Sequence, residues 1–307
     1  MNSKTCLASV HAVLLLLAAS VATASPFFFS TGDTDGRMGT ASRPAGAGVF
    51  GIESADDFVL SQQTKITSAS FTGLLTGRAT AADIGLVGVE IYRVFPSDSN
   101  AARTPSVPTR VNSPADVAFD TRDSAGGGLG FSVSSLGNFT VSNSVLPGGI
   151  HPLPNPTTGG DGAVTGEEVE FAVNFLTPFD LLADHYFFVP LVEVTGGIGD
   201  FLWLSAPRPI VPPGTPFPPG STDLQTWTRD DFLDPDWLRV GTDIVGGTPA
   251  PTFNAVFSLT GESAASGSVP EPGSLLLVVA GSLALLTLRR LRPAARLSAM
   301  PGGTRRV

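Results

Sequence analysis

Apolar and polar residues alternate one for one in several stretches of this chain. Val169, Phe171, Val173 and Phe175 interleave with Glu168, Glu170, Ala172 and Asn174. Val87, Val89 and Ile91 interleave with Gly88, Glu90 and Tyr92. Phe253, Ala255, Phe257 and Leu259 do the same with Asn254, Val256, Ser258 and Thr260. A period of two is that of a strand with one buried face. Residues 57–60, 66–71, 185–194 and 201–204 add further strands, and no helix of ordinary length is expected before Ser274. In 201–204, Phe201 and Trp203 share one face and Leu202 and Leu204 the other, so both faces are expected to be buried.

Long turn-rich segments separate these strands. Residues 146–162 are dense in Pro and Gly, and 207–220 carries Pro207, Pro209, Pro212, Pro213, Pro216, Pro218 and Pro219. Such a stretch is extended and cannot enter a sheet interior. Loops of this length often carry function. The pattern predicts an all-β domain, an antiparallel β-sandwich or jelly roll, entered near Phe50 and completed near Gly261. Phe27, Phe28 and Phe29 stand ahead of that entry as a sticky run suited to pairing into the sheet.

Composition supports this reading. The 307 residues include 35 Gly and 26 Pro, with only 15% charged, which favours short strands and tight turns over a helical bundle. The charge is uneven. Of the 18 basic residues, Lys4, Arg289, Arg290, Arg292, Arg296, Arg305 and Arg306 lie near the ends, whereas Glu271 is the only acid there among 27. The central domain keeps 11 bases against 26 acids, a net charge of −15. Such a surface repels nucleic acid, and none is expected as a partner. The one cysteine, Cys6, precedes the domain, so neither disulfides nor cysteine-held zinc is expected in it.

The two ends read as targeting segments. Lys4 precedes an apolar run from Val10 to Ala19. Ala22-Thr23-Ala24 then offers the small residues that signal peptidase accepts. A cleaved signal helix, 1–24, is expected, with the domain at 25–263 and a small-residue linker at 264–268. At the other end, Val269-Pro270-Glu271-Pro272-Gly273-Ser274 halts regular structure, and Ser274 is placed to cap a helix. Leu275 to Leu288 is apolar. Arg289, Arg290 and Arg292 follow at once and mark a cytoplasmic flank. The run is shorter than the ~20 residues of an ordinary membrane span. Snorkelling arginines extend it. One C-terminal transmembrane helix in the inner membrane is expected.

The order Pro270-Glu271-Pro272, apolar helix and arginine cluster resembles the PEP-CTERM sorting signal of Gram-negative bacteria. The signal peptide at the opposite end strengthens the likeness. The resemblance, carried by residues 269–296, implies recognition and cleavage by a membrane exosortase, and passage through an inner-membrane intermediate to the cell surface or matrix. It also implies an association with exopolysaccharide. The chain departs from the pattern after Arg296, where a basic cytoplasmic tail, 297–307, runs on. Residues 56–60, 66–73, 185–189 and 201–204 resemble the β-sandwich domains of other PEP-CTERM proteins, which implies the fold and assigns no activity.

Candidate chemistry is sparse. His151 and His185 are the histidines of the domain, and no Gly-x-Ser-x-Gly elbow accompanies them. Glu167, Glu168 and Glu170 form the densest glutamates, but strand alternation already explains Glu168 and Glu170 as a solvated face. Calcium suits two aspartate clusters, Asp33 with Asp35 beside Gly36, and Asp230, Asp231, Asp234 and Asp236. Turn chemistry is the competing explanation for both. Trp227 and Trp237 flank the second cluster, and from there, exposed in loops, they would offer sugar-binding platforms. The expected protein is non-catalytic, exported and displayed at the surface, with polysaccharide as its ligand. A polysaccharide hydrolase and a ligand-free structural protein are the alternatives.

Overall fold

The computed structural model describes residues 24–46, 48–150 and 157–264. The sorting motif Pro270, Glu271 and Pro272, the arginines 289, 290 and 292, Ala22, His151 and the linker from residue 265 lie outside the described residues. Fifteen strands follow one another: β1 (Ser25–Ser30), β2 (Met38–Ala41), β3 (Ile52–Leu60), β4 (Thr64–Leu75), β5 (Ile84–Arg93), β6 (Asp120–Asp123), β7 (Leu129–Val141), β8 (Asn143–Val145), β9 (Val164–Leu181), β10 (Asp184–Val194), β11 (Phe201–Ala206), β12 (Trp227–Asp230), β13 (Leu238–Arg239), β14 (Asn254–Ala255) and β15 (Phe257–Ser263). Between them lie single turns of 3₁₀ helix and one π-helical turn, Val240–Val245. No described helix is long and apolar enough to cross a membrane.

The strands form two sheets. The larger runs β1-β15-β4-β11-β2-β8, with β14 on β11, and with β9 and then β7 extending from β4. The smaller runs β13-β12-β3-β10-β5-β6. The described part of the chain is therefore all-β and sandwich-like. Its pairs are antiparallel with one exception, β2 and β8, which are parallel.

The sandwich opens earlier than the alternation predicts. β1 begins at Ser25, directly after the expected cleavage point, and pairs along its length with β15 near the other end of the domain. Phe29 is buried there, and Phe28 is exposed. β2 holds an inner position between β11 and β8. Both strands precede Phe50, so the expected entry point is corrected to Ser25.

The main core lies between the sheets. Phe71, Phe171, Phe179, Phe201, Trp203 and Phe257 come from the larger sheet, and Phe58, Val87, Val89, Tyr186 and Phe188 from the smaller. Offset ring stacking orders this core: Phe71 on Phe171 at 4.7 Å, and Phe188 on Phe257 at 5.0 Å. A close approach of backbones is needed where β4 meets β11. A Cβ on Gly73 would stand 1.9 Å from the Phe201 ring, so only glycine fits there.

Two further apolar clusters cover the outer faces. Leu202 and Leu204 turn away from the main core onto one with Met38, Leu74, Val141 and Phe253, which is why β11 is buried on both faces. Phe187, Val189 and Trp227 on the smaller sheet meet Trp237, Ala115 and Leu224 from loops in the other. A register shift between Ser135 and Gly137 leaves Leu136 as an extra residue in β7. This bulge turns the strand over. Leu129, Phe131 and Val133 serve the main core, while Phe139 and Val141 serve the outer cluster.

Candidate functional site: an acidic cleft

Register on the smaller sheet brings together side chains far apart in sequence. Arg229 of β12 lies directly opposite Glu53 of β3, and Glu90 and Tyr92 follow at period two on β5. All four project from the outer face. Arg229 pairs with Glu53 at 2.7 Å and with Asp234 at 2.7 Å. Its guanidinium lies 4.3 Å over the Trp237 ring and 5.3 Å over Tyr92. Burial opposes the charge on Arg229, but Glu53, Tyr92 and Asp234 reverse that and raise its pKa.

The Tyr92 hydroxyl is the hub. It accepts from Arg229 at 2.9 Å and lies 3.0 Å from Glu53 Oε2 and 2.9 Å from Glu90 Oε2. A phenol has one proton to donate and cannot serve two carboxylates. A second proton on one of them would satisfy both contacts. Burial, and then the neighbouring Glu53, push Glu90 up to about 7. Burial, then Glu53, also push the Tyr92 phenol well above its ordinary range.

Above this network opens a recess of about 320 Å³, lined by Gly51, Glu53, Tyr92, Asp116–Ala118, Arg229–Asp231 and Asp234. Asp231 binds the Gly51 amide at 2.9 Å through one oxygen. Asp234 is 55% exposed even while paired with Arg229. Asp116 is held by Arg110 and Arg103. Phe232 lies on the same turn as Asp231 and Asp234 but does not line the recess; it is 74% exposed, with one edge against Phe50 at 5.4 Å. A larger recess of about 510 Å³ is lined by Arg43, Pro44, Gly46, Val49 and residues 192–201. Its charges are Glu193 and an Arg43–Asp200 ion pair, and it gathers no comparable set of converging groups.

The expected placement of the two tryptophans is corrected. Trp227 and Trp237 are not exposed in loops. Trp227 opens β12 and packs across from Ala55, and both indoles are almost fully buried. The Trp237 indole N–H donates to Ala115 O at 3.1 Å. Neither ring offers a flat face to a sugar, and Phe232 takes the exposed position instead. The aspartate cluster also divides. Asp231 and Asp234 face the cleft. Asp230 caps a turn through the amides of Phe232 and Leu233 at 3.1 and 2.9 Å. Asp236 is inside; burial would raise its pKa, but Arg103, the Ser106 amide and Arg110 outweigh that and hold it low.

At the other cluster, Asp33 is exposed. Asp35 accepts from the Arg37 amide at 3.0 Å and from Ser205 Oγ at 2.5 Å, closing the turn between β1 and β2. Gly36 supplies the left-handed residue, at φ +68°. Among the described residues, no three His, Cys, Asp or Glu side chains are grouped so as to hold a metal ion.

A second carboxylate group occupies the opposite end of the same strand. Asp57 of β3 meets His185 Nε2 at 2.6 Å and accepts from the Leu224 amide at 3.1 Å. Burial raises Asp57 to about 6, although the His185 contact lowers it. Asp56 points to the other face and accepts from the Ala255 amide at 2.8 Å; burial, and then Asp57, hold its pKa well above the ordinary carboxylate range. These aspartates fasten β14 and the end of the proline-rich segment to β3.

Sequence reasoning missed Glu53, Asp116, Arg229 and Phe232. It placed Glu90 and Tyr92 only as the polar side of a strand. The available signal was the polar residue that breaks an outer apolar face, but pairing register was needed to show that these residues meet. The chain matches no protein-family model, no curated protein and no solved structure.

Proposed function

We propose that this chain is an exported, non-catalytic cell-surface or extracellular-matrix protein, and that its acidic cleft binds a polysaccharide made by the producing cell. The observation that carries the binding site is the convergence of Asp231, Asp234 and Glu53 on one recess, with the exposed ring of Phe232 carried on the same turn as Asp231 and Asp234. Carboxylates accept hydrogen bonds from sugar hydroxyls, and an aromatic face covers the apolar side of a sugar ring. The export reading rests on the leader at 1–24 and on the resemblance of 269–296 to an exosortase-processed PEP-CTERM tail. The two-sheet architecture suits a sandwich of the jelly-roll class.

Calorimetry tests the binding reading. The segment 25–264 is titrated with the purified extracellular polysaccharide, with and without calcium. Saturable heat that weakens at least tenfold in Phe232→Ala supports it. No heat in either condition leaves a structural surface protein. Dependence on calcium would assign the aspartates as its ligands. Sorting is tested separately: replacing Pro270, Glu271 and Pro272 with alanine is expected to trap a larger form in the membrane fraction, and normal release would sink the exosortase reading.

A hydrolase is the second reading, favoured by one observation. Glu53 and Glu90 share the Tyr92 hydroxyl, and Glu90 is raised to about 7. Glycoside hydrolysis uses two carboxylates of different basicity. Glu90 lies below the cleft and does not line it, which is why binding is preferred. Shortening of the polymer on incubation, abolished by Glu90→Gln, would reverse that preference.

A further inference from the structure

Each sheet ends in strands paired on one side only, and such edges invite pairing with another chain unless they are blunted. Most are blunted here. β6 has four residues, three of them charged (Asp120, Arg122 and Asp123). β13 has two residues and β8 three. β1 has six and includes Pro26. β7 differs. It has 13 residues, Leu129–Val141, with no charge and no proline, and among the described residues only β9 pairs with it. Ser132, Ser134, Ser135, Leu136, Gly137 and Asn138 are exposed along it. In a domain of net charge −15, an uncharged edge of this length stands apart.

We propose that two copies of this chain pair edge to edge, antiparallel, along the straight part of β7 ahead of the bulge, Leu129–Ser135. The strand is self-complementary. With the two-fold axis at Ser132, Phe131 lies opposite Val133 of the second copy, and Ser132 opposite itself. Phe131 and Val133 are only half-buried at the margin of the main core. Pairing covers them with a favourable aromatic and β-branched cross-strand contact. Ser132 and Ser134 sit on the other face, where no like charges meet. The bulge at Leu136 turns the rest of the edge away, which limits the contact to a closed pair and prevents a growing fibre.

Sedimentation equilibrium on the segment 25–264, which contains all fifteen strands and all three apolar clusters, tests this. The wild type is expected to pass from monomer to dimer with concentration, and Ser132→Lys, which sets like charges face to face, to weaken the dimer at least tenfold. A lysine at Thr121 on the charged edge β6 is expected to leave it unchanged. Ser132→Cys gives a second readout that does not depend on tolerating lysine. The segment has no native cysteine, and Cα atoms ~4.5–5.5 Å apart across an antiparallel pair suit a disulfide. Mild oxidation should link Ser132→Cys into a covalent dimer and leave Leu136→Cys unlinked. A wild type that stays monomeric at millimolar concentration overturns the proposal, as does a dimer unaffected by Ser132→Lys or a failure of Ser132→Cys to cross-link.

Discussion

The outer face of the smaller sheet carries carboxylates at both ends, and the two ends behave differently. At one end Asp57 is closed in. His185 and the Leu224 amide occupy its oxygens, and Asp56 on the reverse face is held by the Ala255 amide. At the other end Glu53, Asp231 and Asp234 open onto solvent around Arg229, and the turn that carries Asp231 and Asp234 also exposes Phe232. Both ends hold charge in a low-polarity setting. The closed end spends its acceptors on the protein's own backbone, and the open end keeps acceptors for something else. Burial of a carboxylate therefore does not by itself mark a site; the direction of its free lone pairs does.

Substitutions can break that contrast. Trp237 forms the floor under Arg229, so Trp237→Ala is expected to have the largest effect, a loss of about 3–5 kcal/mol as for other large core truncations, read from chemical denaturation. At the closed end, Asp57→Ala leaves His185 and the Leu224 amide without their partner. It should cost about 2–4 kcal/mol, because a buried hydrogen-bond donor is stranded. Stability close to wild type in that variant would show that the closed end is not a fastening.

Proton linkage sharpens the comparison. A carboxyl raised on folding holds its proton more tightly in the folded state, so stability falls as pH climbs from the unfolded pKa through the folded one. For Asp57 that window closes near pH 6, and for Glu90 near pH 7. Between pH 6 and 8 the wild type should lose about 1 kcal/mol through Glu90. Glu90→Gln keeps a donor toward Tyr92 and should flatten that part of the profile in pH-dependent melting. The smallest expected effect on stability lies at the open end. Phe232→Ala removes an exposed ring and should change stability by no more than about 0.5 kcal/mol, while its binding phenotype is large.

Much of the fold was legible because one-face burial writes itself as alternation. β5, β9 and β15 show this plainly. β7 was hidden because Ser134, Ser135, Gly137 and Asn138 interrupt its apolar series where the bulge turns the strand over. β2 is short and carries no alternation long enough to read, and β1 was marked only by the apolar run Phe27–Phe29. The site was harder. Trp227 and Trp237 sit among charged residues in sequence, which suggested a loop, yet Arg229 folds its planar head over Trp237 and its neighbours bury both indoles. The meeting of Glu53, Glu90, Tyr92 and Arg229 depends on strand register, which local sequence does not encode.

The most direct test of the open end as a binding cleft is hydrogen exchange on the segment 25–264 with and without the extracellular polysaccharide. Protection is expected at residues 116–118 and 229–234, with the amides at 56–57 and 224 unchanged. Protection confined to the recess at 192–201, or no change anywhere under saturating polymer, would contradict the account.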